Sequence, residues 1–190
     1  MADKSNDVLM KVVNKGVAFA AENRTEFART MDSLRVGFSV GYFFELKTFD
    51  YSVGSVSALV EKKGEGATDP VKGLSAGKKK TDFVDIQPVG FSRLVDMASM
   101  TLFTALIASQ TLDSVTIVKR KAAGTRNGGE IYLRLDFNKV LLTELKWKED
   151  EEFIVETGSF IYHELDIQYR PQKADGLLGA VIPSSWRTPS

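Results

Sequence analysis

Apolar residues recur at every second position from Leu34 to Leu46. Leu34, Val36, Phe38, Val40, Tyr42, Phe44 and Leu46 share one parity, while the other includes Arg35, Gly37, Ser39, Gly41, Glu45 and Lys47. That period predicts a long strand with one buried face. After Lys47 the parity changes to Phe49, Tyr51 and Val53. In an unbroken strand this would turn the core face outward, so a bulge or bend near Lys47 and Thr48 is predicted. A helical spacing follows Pro88: Phe91, Leu94, Val95, Ala98, Leu102, Phe103 and Leu106 predict one amphipathic helix, or two short ones, from about Ser92 to Ser109.

Strand patterns then run to the end of the chain. Val115 and Ile117 begin one, and the glycine-rich stretch Gly124 to Gly129 reads as a hairpin turn. Ile131, Leu133, Leu135, Phe137, Leu141, Leu145 and Trp147 hold one face, with Lys139 the exception, and the charged stretch Lys148 to Glu152 reads as a second turn. A last strand sets Ile161, His163, Leu165, Ile167 and Tyr169 against Tyr162, Glu164, Asp166, Gln168 and Arg170. Near the N-terminus, Asp7 to Val13 reads as a short strand, and Val17 to Ser33 fits either a helix or a hairpin arm. Six or more strands with one principal helix predict a mainly β fold. The form expected is a closed or nearly closed barrel of two packed antiparallel sheets with one flanking α-helix.

Composition narrows the chemistry. The 190 residues fit one domain, expected to span 1–190 with a mobile loop at about 60–80 and an N-terminal elaboration at about 16–33. Zero cysteines exclude disulfides, thiol nucleophiles and Cys-ligated metals, and one histidine leaves almost nothing for a His-based metal site. No cofactor is expected. Lysine and arginine balance aspartate and glutamate at 25 each, so the basic surplus of a nucleic-acid-binding domain is missing. The opening MADKSND is polar rather than a basic stretch leading into an apolar one, and no apolar run approaches the ~20 residues that span a bilayer. Neither a cleaved signal peptide nor stable membrane insertion is expected.

Individual motifs read as structure rather than catalysis. Gly73 to Lys79 falls short of a phosphate-binding loop: three residues rather than four separate its glycines, and Lys79 stands where Ser or Thr should follow the lysine. His163 shares the parity of core-facing residues, which predicts a partly buried, hydrogen-bonded histidine rather than a general base. The acidic run Glu149, Asp150, Glu151 and Glu152 sits at a turn, where carboxylates are hydrated. Val60 to Lys80 combines Lys62, Lys63, Lys72, Lys78, Lys79 and Lys80 with four glycines and Pro70, the composition of a solvated loop. No enzymatic activity is predicted.

One pattern is more specific. Tyr169-Arg-Pro is followed by Gln172, Lys173, Ala174, Asp175 and Gly176, then by Gly179 and Trp186. Upstream stand Ser159, Phe160 and Tyr162; before them Asp96-Met-Ala98-Ser99 with Leu102 and Phe103; and before those Phe49-Asp-Tyr51-Ser-Val-Gly54. In this order the pieces resemble the haemolysin-coregulated protein (Hcp) family, the tube proteins of bacterial type VI secretion systems, from about Phe49 to Trp186. Met100 stands where the family often has proline, Lys148 to Glu152 replaces a commonly glycine-rich turn, and Gly16 to Phe44 is longer than the family's usual link.

The resemblance implies a structural subunit that forms homohexameric rings, stacked into a tube that a contracting sheath drives outward behind a spike. It implies a bacterial cytoplasmic origin and export through the apparatus. It also implies partners: further copies of the chain, sheath and spike proteins, and effector proteins carried in the lumen. A carrier or chaperone role through the lumen, or a tail-tube role in another phage-like contractile machine, are the alternatives. The lysine-rich loop takes the position of the family loop that reaches toward the adjacent ring, with Glu149 to Glu152 as its expected acidic partner.

Overall fold

A computed structural model describes residues 8–23, 33–55, 84–121, 129–150, 152–174 and 177–188. The strands are β1 (Val8–Asn14), β2 (Val17–Ala18), β3 (Phe44–Glu45), β4 (Thr48–Asp50), β5 (Val53–Ser55), β6 (Val84–Ile86) and β7 (Val89–Leu94). Among the described residues one α-helix, α1 (Met97–Ile107), leads to β8 (Thr111–Arg120), β9 (Ile131–Asp150), β10 (Phe153–Ile161), β11 (Glu164–Tyr169) and β12 (Ile182–Arg187). A short 3-10 turn occupies Ser33–Arg35.

Ten strands form one antiparallel sheet, and β5 and β6 form a separate pair. Its spine is β9, 20 residues long. On one edge, Ile131 to Leu141 pairs with β8. The opposite edge pairs with β11 along the first half and with β10 along the second. Beyond β8 lies β1, whose far edge meets β2 and β3; beyond β10 lie β7 and then β4. Because β9 runs unbroken through both halves, the sheet never divides in two. Its backbone turns at Lys139, where φ is 53°.

The expected closed or nearly closed barrel of two packed sheets is therefore corrected to one large sheet whose ladder does not close. The reason lies at residues 44–50. The Leu46 amide donates to the carbonyl of Val8 in β1, and the Lys47 amide donates to that of Ser92 in β7. The chain thus changes partner within two residues, leaving only the two-residue β3 and the three-residue β4 instead of one closing strand. The predicted bend at Lys47 and Thr48 is this change of partner.

One face of the sheet carries the main core, with Met10, Val12, Phe91, Val115, Ile117, Phe137, Phe160 and Leu165. The helix belongs to the same core through Ala98, Leu102 and Ala105 rather than flanking a barrel. A smaller cluster of Leu9, Leu34, Phe38, Phe43, Val118 and Ile131 covers the opposite face near β1 and β8. Gly158 lets β10 lie close to β7: a Cβ there would stand 2.5 Å from the Phe91 ring.

Three sequence expectations fail locally. The segment 34–46 is not one strand. Gly37 and Gly41 take φ values of 84° and 82°, breaking the extended chain, so Val36, Val40 and Tyr42 are exposed although their parity matched the core. The helix begins at Met97, because Phe91 and Leu94 lie in β7, where Phe91 faces the core and Leu94 does not. His163 is exposed, since the chain breaks between β10 and β11 at Tyr162 and His163 and turns Tyr162 inward instead.

Candidate functional site

Four of the residues that carried the family resemblance, Tyr51, Phe160, Tyr162 and Trp186, converge in space. Phe137 of β9 lies at the centre, with ring centroids 5.2 Å from Phe160, 4.8 Å from Tyr162 and 6.0 Å from Tyr51. Trp186 of β12 packs edge-on against Tyr162 at 6.0 Å. Such tilted and edge-to-face pairs add stabilisation beyond their buried area, on the order of 1 kcal/mol each. The Tyr162 hydroxyl donates to that of Tyr51 at 3.3 Å, and burial, followed by this bond, pushes its pKa up. One aromatic cluster thereby ties β9, the β10–β11 junction, the β4–β5 link and the last strand together.

The turn after β11 that carries Gln172 and Lys173 is closed by its own backbone. Gln172 bridges Leu178, the Lys173 amide donates to the Leu177 carbonyl at 2.8 Å, and the Gly179 amide donates to the Pro171 carbonyl at 2.7 Å. Gly179 fits closely there: a Cβ would stand 3.1 Å from the Pro171 ring and 3.2 Å from its carbonyl oxygen, so Pro171 would have to give way by a few tenths of an ångström. Ala174 lies in the same turn, and Asp175 and Gly176 lie outside the described residues.

A charged cluster that the sequence reading missed holds the start of α1. Arg93 and Glu156, register partners on β7 and β10, are both fully buried, with Arg93 Nε donating to Glu156 Oε1 at 2.7 Å. The remaining guanidinium nitrogens donate to Asp96 Oδ1 at 2.9 Å and Ser99 Oγ at 2.7 Å. Asp96 also caps α1 by accepting from the Ala98 amide, and Ser99 accepts from the Asp96 amide. Trp147 Nε1 donates to Glu156 Oε2, and the Phe44 ring lies 4.4 Å from the Arg93 guanidinium carbon. Arg93 shares the inward parity of Val89 and Phe91, so a charge at an inward strand position was its sequence signal.

These groups are saturated by one another, which suits scaffolding and not turnover. Among the described residues, no cluster of three or more His, Asp or Glu side chains is placed to hold a metal. His163 contributes its backbone, the amide donating to Asn138 and the carbonyl accepting from Thr188. Glu149, Asp150 and Glu152 form the exposed tip of the β9–β10 hairpin, with Lys47 Nζ 4.0 Å from Asp150, and Glu151 lies outside the described residues. Lys62, Lys63, Lys72, Lys78, Lys79 and Lys80 also lie outside them, so no contact between that loop and the acidic tip is described.

Comparison with known families matches residues 51–169 to the model of the type VI secretion system effector Hcp. The chain belongs to the Hcp family. Its proteins are structural and non-catalytic, with a general role in forming rings and tubes. Solved structures agree on the fold. A type VI secretion system effector from Yersinia pestis superposes with a TM-score of 0.60 at 16% identity, covering 96% of this chain and all of that one. Hcp1 from Salmonella typhimurium gives 0.59 at 15% identity over 95% of each chain. The secreted Hcp3 from Pseudomonas aeruginosa gives 0.57 at 16% identity, over 95% of this chain and 98% of its own. Among curated proteins, no sequence matches.

Proposed function

We propose that this Hcp chain is the structural subunit of a type VI inner tube: six copies close into a ring, rings stack, and a contracting sheath expels the tube from the cytoplasm without processing of the chain. The observation that carries this reading is the family match over residues 51–169, which takes in Tyr51, Phe137, Phe160 and Tyr162 of the aromatic cluster and Arg93, Asp96, Ser99 and Glu156 of the charged one. The strand edges support it. Among the described residues β12 pairs only with β11 and β4 only with β7, so each of these strands has one edge without a ladder partner. Such edges are commonly protected by covering or by pairing with another chain, and a head-to-tail contact between copies closes into a ring when its rotation allows.

The test is the mass of the purified full chain by light scattering, combined with negative-stain microscopy. Rings of six times the protomer mass are expected. A strictly monomeric protein at tens of micromolar, with no rings on the grid, would overturn the assignment.

A further inference from the structure

On the sheet face opposite the main core, β1, β8, β9, β11 and β12 border a groove of about 860 Å³. The ammonium of Lys11 projects beside the turn at Val36 and Gly37. A Cβ at Gly37 would stand 3.0 Å from Lys11 Nζ, so the absence of a side chain there admits the cation. No acceptor of the Lys11 side chain is found among the described residues.

Of the charges that line the groove, Arg134 and Asp136 are committed to each other, and Asp166 lies 3.9 Å from the Arg187 guanidinium. Arg134 binds Asp136 through two hydrogen bonds of 2.6 and 2.8 Å and donates twice more, to the carbonyls of Leu34 and Val36. Asp136 also accepts from Thr116 at 2.8 Å. Burial, then repulsion by Arg134, lowers the Lys11 pKa, and Asp136 opposes the shift. A half-buried ammonium with fixed neighbours and open groove space before it is arranged to receive a carboxylate from outside.

The same chain carries unpaired carboxylates of the right kind. Glu149 and Glu152 sit at the exposed hairpin tip, next to exposed Phe153 and Ile154. They cannot reach Lys11 of their own molecule. From Asp136 in the groove to Asp150 at the tip, β9 extends on the order of 40 Å at the usual rise per strand residue. The groove also offers apolar cover in Val13 and Val36 for the side chains that flank the tip.

We infer that the Lys11 groove is a docking site for the acidic β9–β10 hairpin tip of a second copy, with Lys11 pairing a carboxylate of Glu149 or Glu152. The site is incomplete without the partner's carboxylate. Because groove and tip are different patches, the contact is head-to-tail and propagates from copy to copy. This rests on the self-assembly proposed above.

A charge exchange in trans tests it. Self-association of the full chain is measured by sedimentation velocity for the wild type, for Lys11→Glu, for the pair Glu149→Lys and Glu152→Lys, and for an equimolar mixture of the two variants. Each variant alone should associate at least tenfold more weakly than the wild type, and the mixture should recover, since each variant then meets the opposite charge. Lys11→Met, which removes the charge without reversing it, should weaken association while retaining the native circular dichroism; it replaces Lys11→Glu if the latter fails to fold. Wild-type-like association of the Lys11 variants, or no recovery in the mixture, overturns the inference. Glutarate serves as the free-acid probe: if it shifts the Lys11 resonance while the mixture fails to recover, the groove takes a free acid and the hairpin assignment is wrong. A wild type that stays monomeric overturns the ring reading itself, whereas assembly indifferent to Lys11 overturns only this contact.

Discussion

Arg93 shows how much of this fold passes through one side chain: its guanidinium joins β7, β10 and the first turn of α1 inside the core. Glu156→Ala should leave that cation without its closest carboxylate, with Trp147 Nε1 unpaired as well. A loss of about 3–5 kcal/mol in urea denaturation is expected. The double variant Arg93→Met with Glu156→Leu should recover much of it, because an apolar pair of similar volume avoids burying charge. A single variant within 1 kcal/mol of the wild type would mean that the pair is solvated in solution. Lys11 has the opposite sign. Its folded pKa lies below the unfolded one, so between the two the unfolded chain binds more protons and stability rises with pH; at neutral pH the protonated form disfavours folding. At concentrations where the chain is dissociated, Lys11→Met should therefore hold or raise the melting temperature at pH 7 and flatten the rise on the alkaline side. A clear drop in melting temperature on calorimetry would show that Lys11 stabilises the isolated chain.

The helix is the element whose start is most sharply specified. Asp96 caps it, Ser99 returns the bond, and Ser109, with φ at 48°, ends it. Its outer face is apolar, with Met97, Met100, Phe103 and Ile107 exposed, so capping and the contacts of Ala98, Leu102 and Ala105 hold it. Asp96→Ala should cost about 1–2 kcal/mol, at the upper end for a cap because Arg93 loses a partner too. Asp96→Asn keeps a capping oxygen and should cost less. Equal losses in both, read from denaturant midpoints, would place the contribution of Asp96 in its charge and not in its cap.

At the scale of the whole molecule, the main core spans both halves of β9, the helix and the last strands, which predicts one cooperative unfolding transition. Trp186 is the test. It lies on β12, at the margin of the sheet, yet packs on Tyr162 beside the central Phe137. Trp186→Ala should lower stability by about 2–3 kcal/mol, below the range for a fully buried tryptophan because Trp186 is half-buried, while the transition stays single. Two separate transitions, followed by fluorescence and circular dichroism, would show that β11 and β12 form an independent unit.

Sequence alone was sufficient for the β-rich class, for most strands after Val115, and for the family, because strand parity and short collinear motifs are local properties. The residues of those motifs, Tyr51, Asp96, Ser99, Phe160, Tyr162 and Trp186, are the ones that meet in the aromatic and Arg93 clusters. Parity could not show where the chain changes direction. Gly37 and Gly41 break a perfect alternation from Leu34 to Leu46, and the break at Tyr162 reverses which residue of the Tyr162–His163 pair is buried. Whether the strands divide into two sheets or share one was decided by long-range pairing along β9, and barrel closure by the partner change at Leu46 and Lys47. The pairing of Arg93 with Glu156, and the place of Lys11 beside Gly37 and Arg134, likewise depend on residues far apart in the chain, and only the tertiary structure brings them to their places.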